Sequence, residues 1–395
     1  MSPRLSRRAV LRAGMLSTGA VLMGFGSVVR PVFPQADRAD PKDALAGGKQ
    51  VGTVDFIHEG PVPLDSVVGT ELDGRLYTDL STLSPQNLVT RTENFYIRTR
   101  ASEFLGDIGQ WQLTVNGLVE QAVKLGIDQL KRAAKPQGLH VMECAGNVRL
   151  TRFGMLSAAD WAGVPVQEIL EDSKVRPQAT RVLIEGFDRY ERQSATSVAG
   201  ASWVFALDEL KAAGAFLATE MNGLPLVRDH GAPIRLVVPG WYGCTCIKWV
   251  NCVTLVDDQA EATSQMLEYA VRTMQRGAPG LAKEYQPAVI DQAAMPVRIE
   301  KWMVHGKIRY KLVGIVWGGT RPVKTLQIRF KPDDEYVRVD SLHHVRNDPW
   351  SLWTHVWSPT APGIYTIQLA VKEPAVRTRR LDSGYYARTV EITEI

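Results

Sequence analysis

The chain has 395 residues, of which 45% are hydrophobic and 22% charged, with 33 Gly and 22 Pro spread without a period. These values exclude a disordered, collagen-like or low-complexity chain, and the length points to two or three domains. The formal net charge of +4 is confined to the first 36 residues, where five arginines and no acid occur; subtracting those five from 46 basic side chains leaves 41 against 42 acidic, a net charge of −1. The rest of the chain therefore has no basic surplus for nucleic acid or an anionic membrane surface. Four Cys in so long a chain cannot form a disulfide scaffold.

The chain opens with Ser6-Arg7-Arg8-Ala9-Val10-Leu11-Arg12 and an uncharged apolar run over 13–29. A positive start followed by a short apolar run is the layout of a signal peptide, and the run is shorter than the ~20 residues of a membrane span. The paired arginines and following leucine carry the twin-arginine pattern, and cleavage is expected between 35 and 40, near Ala36. The alternative is an N-terminal anchor that stays attached. Twin-arginine export moves folded proteins and serves when a cofactor must be inserted first. The expectation is a periplasmic mature protein with a prosthetic group and no membrane anchor. The sequence has no C-x-x-C-H, no G-x-x-x-x-G-K-[ST], no G-x-G-x-x-G and no iron–sulfur cysteine run, so covalent haem, nucleotides and clusters are not indicated.

Residues 37–90, rich in Pro, Gly, Asp and Ser, read as an irregular lead-in. Strands are predicted over 95–98, over 111–115 with a turn at Asn116-Gly117, and over 139–142, 181–185 and 234–238; helices are predicted over 127–134 and 208–213. A linker falls at 276–287. Beyond it, short strand candidates at 310–317, 324–330, 336–342, 352–357, 364–371 and 386–392 indicate a β-sandwich. The predicted fold class is α+β, with a mixed domain over 91–280 and a sandwich over 287–395.

Cys144 ends the apolar run His140-Val141-Met142-Glu143 and precedes Ala145-Gly146-Asn147-Val148-Arg149. A thiolate at a strand-to-loop junction beside an arginine suits a soft metal ligand, and small residues at 145 and 146 would let backbone approach a bulky group. A lone Cys beside Gly is more often a small buried residue, and the local residues by themselves leave both readings open.

Cys144-Ala145-Gly146-Asn147 with Arg149 resembles the motif around the molybdenum-ligating cysteine of the sulfite oxidase family. Asn94-Phe95-Tyr96-Ile97-Arg98 is similar to that family's upstream segment, which ends in an active-site arginine. Glu220-Met221-Asn222-Gly223, Arg228-Asp229-His230-Gly231, Pro233, Arg235, Val237-Val238-Pro239-Gly240 and Lys248-Trp249 resemble its pterin-binding stretch. Within the family the likeness is to the haem-free bacterial periplasmic sulfite dehydrogenases. The resemblance implies a molybdopterin-binding domain followed by an immunoglobulin-like β-sandwich that makes a homodimer. It implies molybdenum with one molybdopterin, Cys144 as the metal ligand, and no haem in this chain. Arg98 and Arg149 would line the oxyanion pocket, where guanidiniums can hold a dianion through bidentate hydrogen bonds. Tyr269 falls where the family places an active-site tyrosine, although Glu268 precedes it where Asp is expected. His230, Arg235 and Lys248 would hold the pterin and its phosphate, with Asp188 a further pterin contact. The implied reaction is oxygen-atom transfer from sulfite to sulfate, with electrons leaving singly to an external c-type cytochrome. Val148 departs from the family's frequent second arginine, and the 151–156 loop is shorter than in the vertebrate enzymes and lacks their extra lysine. Cys244, Cys246 and Cys252 have no ligand role in the resemblance and are expected to be reduced.

Overall fold

The computed structural model describes residues 44–100, 105, 107–186, 201–342 and 350–395. The expected signal segment lies outside them. Two sheets form the first half of the described chain. One is mixed, in the order Ser202–Ala206, Arg181–Gly186, Val250–Val256, Gln112–Gly117, Val123–Gly126. Its central strand Val250–Val256 pairs antiparallel with Arg181–Gly186 and parallel with Gln112–Gly117. Leu113, Val115, Val182 and Ile184 are fully buried and alternate with more exposed neighbours, which is the period-2 pattern of a strand with one face in the core.

The second sheet runs Leu224–Pro225, Phe216–Met221, Leu156–Pro165, Lys135–Glu143, with Arg235–Val237 also paired to Phe216–Met221. Leu156–Pro165 is buried along almost its whole length, so it shows no alternation and the sequence pattern passes over it. The helices are short: Ile127–Ala133, Val166–Glu171, Leu207–Ala212, Ser264–Tyr269 and Arg379–Asp382. Among the described residues no helix is long and apolar enough to cross a membrane.

The C-terminal part is two antiparallel five-stranded sheets. One is ordered Lys49–Val54, Ala293–Val304, Lys307–Trp317, Ser351–Trp357, Ser341–Leu342; the other Val337–Arg338, Leu326–Arg329, Gly363–Val371, Arg388–Ile392, Phe56–Ile57. Ala293–Val304 of the first packs on Gly363–Val371 of the second. The fold class is thus the expected α+β with a terminal sandwich. The lead-in differs from the expectation of irregular structure. Lys49–Val54 pairs with Ala293–Val304, Phe56–Ile57 pairs with Arg388–Ile392, and Arg75–Leu76 pairs with Ile97–Arg98. The reason is that an edge strand such as Lys49–Val54 is half exposed and needs little apolar sequence of its own. The strand expected over 95–98 shrinks to Ile97–Arg98, because 92–94 form a 3₁₀ turn and Phe95 and Tyr96 enter the core. The region read as linker contains a 3₁₀ turn, Ala282–Glu284, and Ala282 is buried. One continuous buried cluster runs from Tyr77 to Ile392, joining the cofactor-type sheets to the sandwich.

Candidate active site

The site is built where strand Lys135–Glu143 ends. Cys144 N–H donates to Met155 O at 3.0 Å, still in sheet register, and the chain then reverses through a turn closed by Asn147 N–H to Cys144 O at 2.9 Å. Asn147 is fully buried; its Oδ1 accepts from Met155 N–H at 3.1 Å and its Nδ2 donates to Glu143 Oε1 at 3.4 Å. An Asn here therefore clamps the turn on both sides. The Cys144 thiol is buried, and Gly146 N–H points at its Sγ from 3.4 Å. Burial pushes the thiol above its ordinary range, while Arg98, Gly146 N–H and Arg272 favour the thiolate.

A cleft opens on Cys144, lined by Arg98, Tyr269, His230, Arg235 and Lys248 among others. Arg98 is placed by the pairing of Ile97–Arg98 with Arg75–Leu76, and its Nε donates to the Tyr269 hydroxyl at 3.2 Å. Tyr269 ends helix Ser264–Tyr269, whose start is capped by Thr263 Oγ1 accepting from Met266 N–H. Burial, with the Cys144 charge nearby, pushes the Tyr269 phenol up to about 12, so it stays protonated at neutral pH.

At the other end, His230 Nε2 donates to Thr92 O at 3.0 Å, which fixes the tautomer because a carbonyl can only accept. Burial, then the Arg235 and Lys248 charges, lower its pKa to about 4, so the ring is neutral. Arg235 is buried: Nη1 donates to His230 O at 3.1 Å, Nη2 to Cys246 O at 3.0 Å, and the guanidinium sits 5.6 Å from the Trp161 ring centroid. Lys248 Nζ donates to Thr99 O and Asp229 O and lies 4.3 Å from the Trp249 ring centroid. Gly231 lets these three approach. Its φ is +106°, and a β-carbon there would stand 2.9 Å from Arg235 Cβ and 3.2 Å from Lys248 Cβ.

These residues fit a molybdenum–molybdopterin group. The cleft holds a thiol at one end and a cationic cradle at the other, and the buried Arg235 Nε has no hydrogen-bond partner among the described residues. Asp229, a carboxylate in the lining, is offset by Arg100 at 3.5 Å. No group of three His, Cys, Asp or Glu side chains among the described residues is placed to hold a metal ion. A metal on Cys144 would thus take its remaining ligands from a chelating cofactor, as a dithiolene provides.

Arg149 is not among the residues lining the cleft. It opens the 3₁₀ turn Arg149–Thr151, and its buried Nε has no hydrogen-bond partner among the described residues. Asp188 lies outside the described residues. All four cysteines are free thiols, and Cys244 and Cys246 line the cleft, which sequence reasoning missed although both sit between Pro239-Gly240 and Lys248-Trp249. Also missed was the support behind the Cys144 loop. Trp317 Nε1 and the Tyr386 hydroxyl donate to the buried Glu143 carboxyl at 2.9 and 3.0 Å, and Arg380 Nη2 donates to Ala145 O at 3.0 Å. These side chains come from the sandwich, and no local motif links them to residue 144.

Residues 102–264 match the family model of the oxidoreductase molybdopterin binding domain. The chain is 26% identical to mitochondrial sulfite oxidase of Macaca fascicularis over 324 residues, covering 77% of this chain and 58% of that protein. It is 28% identical to the NADPH nitrate reductase of Fusarium oxysporum over 318 residues, covering 69% of this chain and 34% of that protein. It therefore spans less than two thirds of the length of these relatives. The sulfane dehydrogenase SoxCD of Paracoccus pantotrophus shares the fold, with a TM-score of 0.60 over 94% of this chain and 96% of that chain at 17% identity. The Cys144 turn and the His230–Arg235–Lys248 cradle both lie inside the matched segment, so residues 102–264 form an oxidoreductase molybdopterin-binding domain similar to that of the sulfite oxidases.

Proposed function

We propose that this protein is a sulfite dehydrogenase. The observation that carries the reading is the pairing of a buried Cys144 thiol with Arg98 and Tyr269 at one end of a cationic cleft. When bound, the molybdenum–molybdopterin group supplies two-electron oxygen-atom transfer to sulfite sulfur. Cys144 holds the metal as a thiolate, which the nearby Arg98 and Arg272 charges favour. Arg98 holds a sulfite oxygen through charge-assisted hydrogen bonds. Tyr269 accepts from Arg98 through its oxygen, so its own proton points elsewhere and can donate to an anion in the cleft. His230, neutral and donating from Nε2 to Thr92, presents Nδ1 as an acceptor towards the pterin. Arg235 and Lys248 hold its phosphate.

Sulfite gains one oxygen from water while two electrons and two protons leave. The electrons pass singly to an external c-type cytochrome. Supported by the Arg7-Arg8 segment, the protein is exported folded to the periplasm, and the sandwich mediates a homodimer.

Nitrate reduction is the second reading, favoured by the similarity to fungal nitrate reductases at an identity close to that of sulfite oxidase. Parallel assays of the purified holoprotein separate the two. Sulfite-dependent reduction of cytochrome c, with no nitrite formed from nitrate and a reduced viologen, is the expected result; nitrite formation without sulfite oxidation would replace the proposal with the second reading.

A further inference from the structure

Arg272 follows Tyr269 by three residues, just past the end of helix Ser264–Tyr269. Its guanidinium carbon lies 5.3 Å from the Tyr269 ring centroid, and Arg98 holds the hydroxyl of the same ring. Tyr269 is thereby flanked by two guanidiniums. A β-carbon built on Gly146 would lie 3.7 Å from Arg272 Nη1 and 3.9 Å from Cys144 Sγ, so guanidinium and thiol border one small space above the Cys144 turn. The same segment is tied in place from behind, because Arg380 Nη2 donates both to Arg272 O, at 2.6 Å, and to Ala145 O, at 3.0 Å. Among the described residues no carboxylate lies within ion-pairing distance of Arg272, and the residue is exposed, bordering the Cys144 thiol over Gly146 rather than lining the cleft itself.

We propose that Arg272 is a further guanidinium of the substrate-anion pocket, acting with Arg98 on either side of Tyr269 and bordering the space over the Cys144 thiol. The assignment rests on the sulfite dehydrogenase reading and deepens it. Two cations on either side of a protonated tyrosine suit a small oxyanion that must be drawn from water to a buried thiolate-bound centre. An exposed cation beside the thiol also acts on encounter, so its removal should flatten the salt dependence of kcat/KM.

The test uses purified holoprotein of wild type, Arg272→Met, Arg272→Lys and Arg149→Met. Sulfate binding is measured by titration calorimetry, sulfite kinetics at several ionic strengths, and molybdenum content and Tm on each variant. Arg272→Met is expected to weaken sulfate binding and raise KM for sulfite by about tenfold or more, the loss of one charged hydrogen-bonding partner. Molybdenum content and Tm should stay unchanged, Arg272→Lys should recover part of the loss, and Arg149→Met should have the smaller effect. A wild type that binds sulfate and oxidises sulfite, with Arg272→Met within twofold of it or Arg149→Met the more damaging change, overturns the assignment alone. A wild type that does neither overturns the functional reading and the assignment with it.

Discussion

Arg98 Nε donates to the Tyr269 hydroxyl at 3.2 Å, joining two residues 171 positions apart in the chain. The bond joins the guanidinium to the tyrosine at the Cys144 end of the cleft, which both residues line. Replacing Arg98 by Met removes the proposed anion contact without touching His230, Arg235 or Lys248. Sulfite KM should rise at least about tenfold, given ~1.5–3 kcal/mol for a charged hydrogen bond. Steady-state kinetics with metal analysis checks this: KM rises and molybdenum content stays at the wild-type level.

His230 makes stability depend on pH. Its folded pKa of about 4 lies below the unfolded value of 6.5. Between those values the unfolded chain binds the proton and the folded one does not. The stabilising contribution is therefore complete above about pH 6.5 and is lost progressively as pH falls towards 4, by an amount of order 3 kcal/mol. Denaturant unfolding of wild type and His230→Gln across that window should show a shallower acid loss in the variant, whose amide can still donate to Thr92 O.

Gly231 lies where Arg235 and Lys248 approach most closely. Gly231→Ala places a methyl 2.9 Å from Arg235 Cβ at a φ of +106°. Backbone strain of ~1–3 kcal/mol is expected before any clash is relieved. The variant should show both a lower Tm and reduced pterin content, read by calorimetry and by fluorescence of the released, oxidised pterin.

Glu59 and Arg388 tie the lead-in to the last strand. Arg388 Nε lies 2.7 Å from Glu59 Oε1, both side chains are almost wholly buried, and the guanidinium carbon sits 3.6 Å from the Phe56 ring centroid. Glu59→Ala leaves a buried arginine unpaired, which costs about 3–5 kcal/mol. Chemical denaturation of Glu59→Ala and of the Glu59→Ala, Arg388→Met double variant should show the double variant recovering part of the loss.

The sequence displayed most of what alternates. Strands Gln112–Gly117 and Arg181–Gly186 have one buried face each, and the spaced motifs at Cys144, His230, Arg235 and Lys248 converge on one cleft. It hid what is buried on every side, such as Leu156–Pro165, and what is held by distant partners. Lys49–Val54 looks irregular alone because its stability comes from Ala293–Val304, some 250 residues away. The Cys144 motif was legible but not its support, since Trp317 lies 174 positions and Tyr386 243 positions along the chain from Glu143, and Arg380 lies 235 positions from Ala145. Arg149 shows the same limit: a sequence position beside Cys144 does not by itself put a side chain in the lining of the cleft. Arg272 lies one helical turn from Tyr269, and that i, i+3 spacing was a signal available in the sequence.

The central claim is that Cys144 holds a molybdenum centre that oxidises sulfite. The most direct measurement is sulfite-dependent reduction of cytochrome c by purified mature protein, with molybdenum quantified per chain, for wild type and Cys144→Ser side by side. Wild type should carry about one molybdenum per chain, reduce cytochrome c only when sulfite is present, and lose that activity in Cys144→Ser. A wild-type protein without molybdenum, or a Cys144→Ser variant that oxidises sulfite at the wild-type rate, would contradict it.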